Sequence, residues 1–410
     1  MINRCRACGN ATLLEVLDLG EQALTGVFPR SRDEAVPSAP LVLVKCSPDG
    51  CGLVQLRDTV DPQLMYGPGY GYQSSIRPFM ANHLAGKAAT AKALVDLGDG
   101  DLVLDIGSND GTLLRTYTES GLTLVGIDPS AEKYRDLYPR DADLIVDFFT
   151  KDVYTAKYGD RRAKIVTSIA MFYDLPDPLG FMKDVSGILA DDGIWLIEHS
   201  YLPSMLEATS YDTVCHEHLE YYSLKQIEWM AERAGLAVVS AEITDVYGGS
   251  LCVALAKQGS PVRPDTAAIA RIRAREHQLA LDDMTPFKEF ASRTENHREQ
   301  LRALLETSLE KGKTTLGYGA STKGNVILQY CGIDERLLPC IGEVSTEKTG
   351  RFAPGTGIPI VSEEDAKSRR PDQLLVLPWV YRDGFLEREQ EYLAGGGRMI
   401  FPLPEISVEG

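Results

Sequence analysis

The sequence predicts an α/β protein in three parts: a small N-terminal zinc-binding lobe, a central Rossmann-like domain, and a second, C-terminal Rossmann-like domain. Three observations carry this expectation. Four of the eight cysteines form two closely spaced pairs near the N-terminus. Apolar strands run into glycine-rich turns twice, at "LDIGSNDGTLL" and at "LGYGASTKGN". Between these units, an Ala-, Arg-, Glu- and Leu-rich stretch from Thr266 to Glu310 reads as one or two long helices. The expected boundaries are residues 1–60, 61–260 and 261–410.

The totals agree with this layout. A chain of 410 residues with 44% hydrophobic and 25% charged residues can bury two or three ordinary cores. Its net charge of −17 leaves no basic surplus to neutralise phosphates, so a nucleic-acid partner is not expected. No apolar run is long enough to span a bilayer, and "MINRCRACGN" lacks the apolar centre of a signal peptide. The expected location is the cytoplasm, without a membrane partner.

In that setting paired cysteines point to metal rather than disulfides. "CRAC" and "CSPDGC" place Cys5, Cys8, Cys46 and Cys51 on two tight turns, each followed by a glycine. Four thiolates so arranged suit one structural Zn²⁺ with no open coordination position. A redox pair would not need the second turn.

The central domain opens with an apolar strand, Leu102–Ile106. The chain then turns through Gly107, Ser108, Asn109, Asp110 and Gly111 and is expected to continue as a helix. A second strand ends at Asp128, whose carboxylate can accept from ribose hydroxyls. The D-x-G-x-x-x-G spacing differs from the G-x-G-x-x-G that seats a pyrophosphate on a helix N-terminus. Asp105 would repel a pyrophosphate but suits the cationic amino-acid end of S-adenosylmethionine (SAM). The pattern therefore favours SAM over NAD. The next strands, Ile165–Ile169 and the one in "GIWLIEHSYL", bring Asp174, Glu198 and His199 to the carboxyl edge of the sheet, where ligands of such folds bind. His199 taken alone reads equally as a structural histidine. Upstream, Tyr66, Tyr70 and Tyr72 alternate with glycines, which suits either a lid over a flat ligand or an anchored surface loop.

In the C-terminal third, "TDVYGGSLCVAL" reads as a strand pair closing the central sheet. Strand Thr314–Gly317 then leads through a glycine turn to Ser321, Thr322 and Lys323 at a helix start, a natural anion site. It is not a Walker loop, because the G-x-x-x-x-G-K-[ST] order is absent. Trp379, Tyr381 and Arg382 follow a later strand, again on the ligand side.

Taken in order, "CGLVQL", "YGYQSS", "LDIGSNDGTLL", "HEHLEYYSL", "GGSL", "GYGASTKGN", "LPW" and "FPLPEI" resemble the sugar C-methyltransferases that act on nucleotide-linked 4-keto deoxysugars. The resemblance covers nearly the whole chain. It implies a zinc lobe, a class I SAM-methyltransferase domain, and a C-terminal domain that helps hold a nucleotide-diphosphate sugar. It also implies that a base removes the proton beside the ketone to give an enolate, which is then methylated, at C3 in the members that this chain resembles. His218 matches the family's base and Glu217 its neighbour; His216, Tyr221 and Tyr222 are near candidates, with Tyr72 in the same catalytic set. The expected SAM contacts are Asp105, Gly107, Ser108, Asn109, Gly111, Asp128, Pro129, Tyr70, Ser75, Asp147 and Phe148. The expected substrate contacts are Asp174, His199, Tyr221, Ser321, Thr322, Lys323, Trp379, Tyr381 and Arg382.

Two departures bear on the sugar. The chain has Cys215 where relatives carry tyrosine, and Tyr173 and Asp174 where they carry histidine. Methylation at C5 or on oxygen is the alternative activity. A non-catalytic binding protein is disfavoured, since His216, Glu217 and His218 together are more proton acceptors than mere binding needs. A monomer is expected.

Overall fold

The computed structural model describes residues 1–66 and 71–410. Their strands form three sheets of four, seven and six strands.

The N-terminal sheet begins with β1 (Leu13–Ala23), β2 (Ser38–Cys46) and β3 (Val54–Leu56), all antiparallel neighbours. The central sheet follows with β4 (Leu102–Ile106), β5 (Thr123–Ile127), β6 (Asp143–Ile145), β7 (Ala163–Ile169) and β8 (Leu189–Ser200). These five are parallel, and every residue of β4 is buried. A strand covered on both faces is mostly apolar, which makes "LVLDI" readable apart from Asp105. The chain then leaves this sheet: β9 (Glu220–Tyr221) pairs with β3 as the fourth strand of the N-terminal sheet. The hairpin of β10 (Leu236–Thr244) and β11 (Ser250–Lys257) closes the central sheet antiparallel to β8, giving the order β10-β11-β8-β7-β4-β5-β6.

Helices Thr266–Gln278 and Thr285–Glu310 lead to the third sheet. Its strands are β12 (Thr315–Tyr318), β13 (Ile341–Glu343), β14 (Ile360–Ser362), β15 (Gln373–Val376), β16 (Arg398–Phe401) and β17 (Ser407–Glu409). Their order is β14-β13-β12-β15-β16-β17, and only β17 is antiparallel. The first and third sheets share one core: Val16 and Leu41 belong to the same buried cluster as Phe287, Leu316 and Ile341.

One expected element is different. The helix after Gly111 is replaced by turns and a short 3-10 segment, Leu114–Thr116. Thr112, Thr116, Tyr117 and Thr118 are poor helix formers. Arg115 also donates to the carbonyls of Asp110 (2.8 Å) and Leu137 (2.6 Å), which holds the segment as a compact turn. Among the described residues no helix is long and apolar enough to cross a membrane.

Candidate active site

The zinc knuckle forms as expected. The sulfurs of Cys5, Cys8, Cys46 and Cys51 all lie within 4.8 Å of one another. Four thiolates around a tetrahedral zinc at about 2.3 Å stand roughly 3.8 Å apart, so the cage fits the ion. The Gly9 and Gly52 turns take φ of +73°, which a side chain at either position would strain. Gln55 Nε2 donates to Cys5 Sγ at 3.2 Å, a second-sphere bond of the kind that orients thiolate ligands.

At the carboxyl end of β4 the glycine turn gathers the expected SAM residues. Asp128 is held from three directions: Asn109 N donates to Oδ2 at 2.8 Å, and Ser130 N and Oγ donate to Oδ1 at 2.7 Å. Pro129 lies between Asp128 and Ser130 in the chain. Asp105 is buried, accepts from Thr167 Oγ1 at 2.6 Å, and is pushed up to about 7 by burial, with the Asp128 charge adding to the rise. A cationic ligand would offset that cost, which is how the site fits the amino-acid end of SAM. Gly107 and Gly111 take positive φ, and a Cβ on Gly111 would sit 3.0 Å from the Tyr138 ring. Ser108 Oγ bonds the Tyr138 hydroxyl at 2.8 Å. The segment before helix Pro78–Ala93 docks on the same turn: Ser74 N donates to Asn109 Oδ1 at 2.9 Å, and Ser75 N to Asp110 Oδ2 at 3.0 Å. Asp147 and Phe148 are exposed just beyond β6. Tyr70 lies outside the described residues.

The "CHEHLEYYS" segment separates its side chains by function. His218 Nδ1 donates to the Thr213 carbonyl at 2.9 Å, which leaves Nε2 with the lone pair. The Tyr173 ring meets the imidazole edge-on at 4.4 Å. Burial pushes His218 down to about 4, and the Lys323 ammonium adds to the fall. Tyr221 donates its hydroxyl to the same Thr213 carbonyl at 3.4 Å. Glu217 is half-buried, with its carboxylate toward Gly26 and its backbone carbonyl accepting from the Tyr66 hydroxyl at 3.3 Å. Asp174 is pushed well above the carboxylate range by burial, and the nearby Glu217 raises it further.

Five of the expected contacts are placed elsewhere. His216 is buried and Nε2 donates to the Ala39 carbonyl at 3.0 Å, so it ties the segment to β2 rather than to a ligand. Tyr222 is fully buried between Phe172 and His199, and His199 is 1% exposed with Nδ1 donating to the Ser200 carbonyl. Neither reaches the cleft: the pleat of β8 and the bridge from Tyr201 to Tyr222 turn both rings into the core. Arg382 is drawn off by Ser407 Oγ (2.7 Å) and by an ion pair with Glu409, because β17 folds back over its end of the sheet. Glu198 does not face the cleft either; Lys87 (2.8 Å) and His83 occupy its carboxylate.

The C-terminal sheet supplies the far wall. Ser321 caps helix Thr322–Tyr330 by accepting from Gly324 N at 2.9 Å. Lys323 Nζ donates to the Tyr247 carbonyl at 3.3 Å, and Trp379 Nε1 donates to Asp212 Oδ2 at 2.7 Å. Tyr381 lies close to the Arg77 guanidinium, and the Tyr72 and Tyr247 hydroxyls meet at 3.3 Å. Tyr72 carries the link onward, since its carbonyl accepts from Asn109 Nδ2 at 3.0 Å. A continuous set of contacts thus runs from the SAM turn through Tyr72 and Tyr247 to Lys323.

Sequence reasoning missed Asp212, Arg77, Tyr247 and Lys348. Lys348 Nζ donates to the Ala320 carbonyl at 2.8 Å, which places a second ammonium beside the anion turn. Tyr247 carried one local signal: it precedes two glycines and itself takes φ of +56°, rare for an aromatic residue.

The chain is similar to a known C-methyltransferase along nearly its whole length. Residues 245–404 match the family described as "C-methyltransferase C-terminal domain", residues 80–241 a methyltransferase domain, and residues 5–66 a "Putative zinc binding domain". The C-methyltransferase NovU of Streptomyces niveus is 34% identical over 98% of this chain and 96% of its own length. Among solved structures, the CcbJ methyltransferase of Streptomyces caelestis is 12% identical over 46% of this chain and all of its own, with a TM-score of 0.35. The magnesium protoporphyrin IX methyltransferase of Synechocystis PCC 6803, solved with S-adenosylhomocysteine bound, is 13% identical over 43% of this chain and 83% of its own, with a TM-score of 0.33.

Proposed function

The chain belongs to the SAM-dependent C-methyltransferase family, and on that premise we propose that it methylates carbon, at C3, of a nucleotide-diphosphate-linked 4-keto deoxysugar, with His218 as the general base. One observation carries the reading. A ring whose Nδ1 is committed to a backbone carbonyl, and whose Nε2 is a free acceptor, sits within electrostatic reach of Lys323 at the N-terminus of a helix.

The two halves of such a substrate have different needs. The diphosphate needs fixed cations and backbone donors. Lys323, Lys348, Arg77 and the Ser321–Thr322 turn supply them at one place. The ketone acidifies the neighbouring C–H, so a neutral imidazole can take the proton onto Nε2. The negative charge that moves to the C4 oxygen needs a donor, and Tyr173, whose ring meets the His218 imidazole, is placed to be one. SAM, when bound, supplies the electrophilic methyl group that the carbon takes up, leaving S-adenosylhomocysteine. Asp105 and Asp128 hold its cationic and ribose ends, while Tyr72 joins that turn to the far wall.

Purified protein incubated with SAM and a panel of nucleotide-linked 4-keto sugars tests the reading by mass and NMR. Methyl gain on carbon beside the ketone supports it. Gain only on hydroxyl oxygen, or none on any member of the panel, contradicts it. Methylation at C5 would keep the base chemistry and correct the position.

A further inference from the structure

The zinc knuckle sits far from any reacting atom in chain order, yet its residues converge on the base segment. Arg6 lies between two of the ligand cysteines. Its amide donates to Gln55 Oε1 at 3.0 Å, its Nη1 to the Leu56 carbonyl at 2.5 Å, and its Nη2 to Thr59 Oγ1 at 2.8 Å. Its Nε lies 3.6 Å from Glu220 Oε1, close enough for charge attraction but not a hydrogen bond, with both side chains at most 3% exposed. Gln55 closes the arrangement: it donates to Cys5 Sγ at 3.2 Å and is the strand partner of Glu220.

We propose that Arg6 and Glu220 are a positioning pair through which the zinc knuckle holds the His216–Tyr222 segment, and with it the His218 ring, in register. The proposal rests on His218 being the base, as inferred above.

The energetic argument starts from cost. A buried ion pair is generally no more stabilising than well-packed apolar side chains of the same volume, because both charges must be desolvated. What such a pair can provide is specificity of register. The backbone sets the register here through a short ladder, since β9 has only two residues, paired at Val54–Tyr221 and Gln55–Glu220, with one flanking bond from Leu56 N to the Leu219 carbonyl. A slip of one residue moves the chain by about 3.3 Å. That exceeds the 2.9 Å bond by which Thr213 fixes the His218 tautomer. Further ties come from the N-terminal lobe, His216 to the Ala39 carbonyl and Leu56 N to the Leu219 carbonyl at 2.9 Å, and from the central domain, Leu219 N to the Tyr173 carbonyl at 2.8 Å and Leu202 N to the Tyr222 carbonyl at 2.9 Å.

The test compares wild type with Glu220→Gln, which keeps volume but removes the ion pair, and Arg6→Lys, which keeps charge but loses the forked contacts. Zinc per chain, SAM affinity, amide hydrogen exchange over residues 212–223, and kcat and KM on dTDP-4-keto-6-deoxyglucose are measured. The expected result is full zinc content and a SAM Kd within about threefold of wild type. Exchange over residues 212–223 should be at least about tenfold faster. The kcat should fall at least ~30-fold with KM little changed, as for a misplaced catalytic group. A zinc-loaded Glu220→Gln protein with wild-type exchange over that segment overturns the proposal. The exchange arm decides whichever sugar is used, and Glu220→Gln decides should Arg6→Lys fail to fold. Wild-type kcat in a His218→Ala control would remove the base reading alone, leaving the exchange result to judge the pair.

Discussion

His218 Nδ1 lies 2.9 Å from the carbonyl oxygen of Thr213. A carbonyl can only accept, so the ring proton stays on Nδ1 and Nε2 is kept as the acceptor. The Tyr221 hydroxyl donates to the same oxygen and fixes its place. Because burial and Lys323 push the imidazole down to about 4, the ring is neutral and able to act as a base throughout the neutral range.

Lys323 contributes to that depression, which makes its removal informative in two ways. A positive neighbour disfavours imidazolium, so Lys323→Met should move the acid limb of kcat/KM upward, toward the ordinary histidine range. Loss of a phosphate contact should also raise the KM for the nucleotide sugar by about 10- to 100-fold. Steady-state kinetics across pH measure both.

Asp105 predicts pH-dependent SAM binding. Its folded carboxyl is held near 7, and a cationic ligand binds the ionised form. Affinity should rise about tenfold between roughly pH 6 and pH 8 and then level off. Asp105→Asn should bind more weakly and lose the dependence. Calorimetry in two buffers would also read the proton released on binding in the wild type.

His199 affects stability rather than turnover. Its folded pKa is about 4, below the unfolded value of 6.5. The unfolded chain therefore binds more protons between those values, so stability is fully present above the unfolded pKa and is lost as pH falls toward the folded one. The loss is on the order of 3 kcal/mol for a group so buried. Urea unfolding of His199→Gln at several pH values should show a shallower acid slope than wild type.

Arg382 is the negative control. Its guanidinium is held by Ser407 and Glu409. Arg382→Ala should leave the KM for the nucleotide sugar within about twofold of wild type. A large rise in KM would return Arg382 to the substrate wall.

What the sequence made legible follows from locality. "LVLDI" is apolar but for Asp105 because β4 is covered on both faces, and the two cysteine turns encode their ligands by spacing alone. The Asp105–Gly107–Gly111 turn and the Ser321 cap are equally local. The failures are non-local. His216 and His218 are two residues apart, yet one bonds β2 and the other Thr213, and only the recruitment of β9 into the N-terminal sheet separates their roles. Arg382 stands at the ligand edge of its strand, but β17 folds back to claim it. The pairing of Arg6 with Glu220 is likewise invisible to spacing, since the two lie far apart in the chain.

The most direct test of the base assignment is solvent deuterium exchange into dTDP-4-keto-6-deoxyglucose without SAM, followed by NMR for wild type and His218→Ala. The account predicts exchange at the carbon beside the ketone in wild type and a loss of at least ~100-fold in the variant. Near-normal exchange in His218→Ala would contradict it.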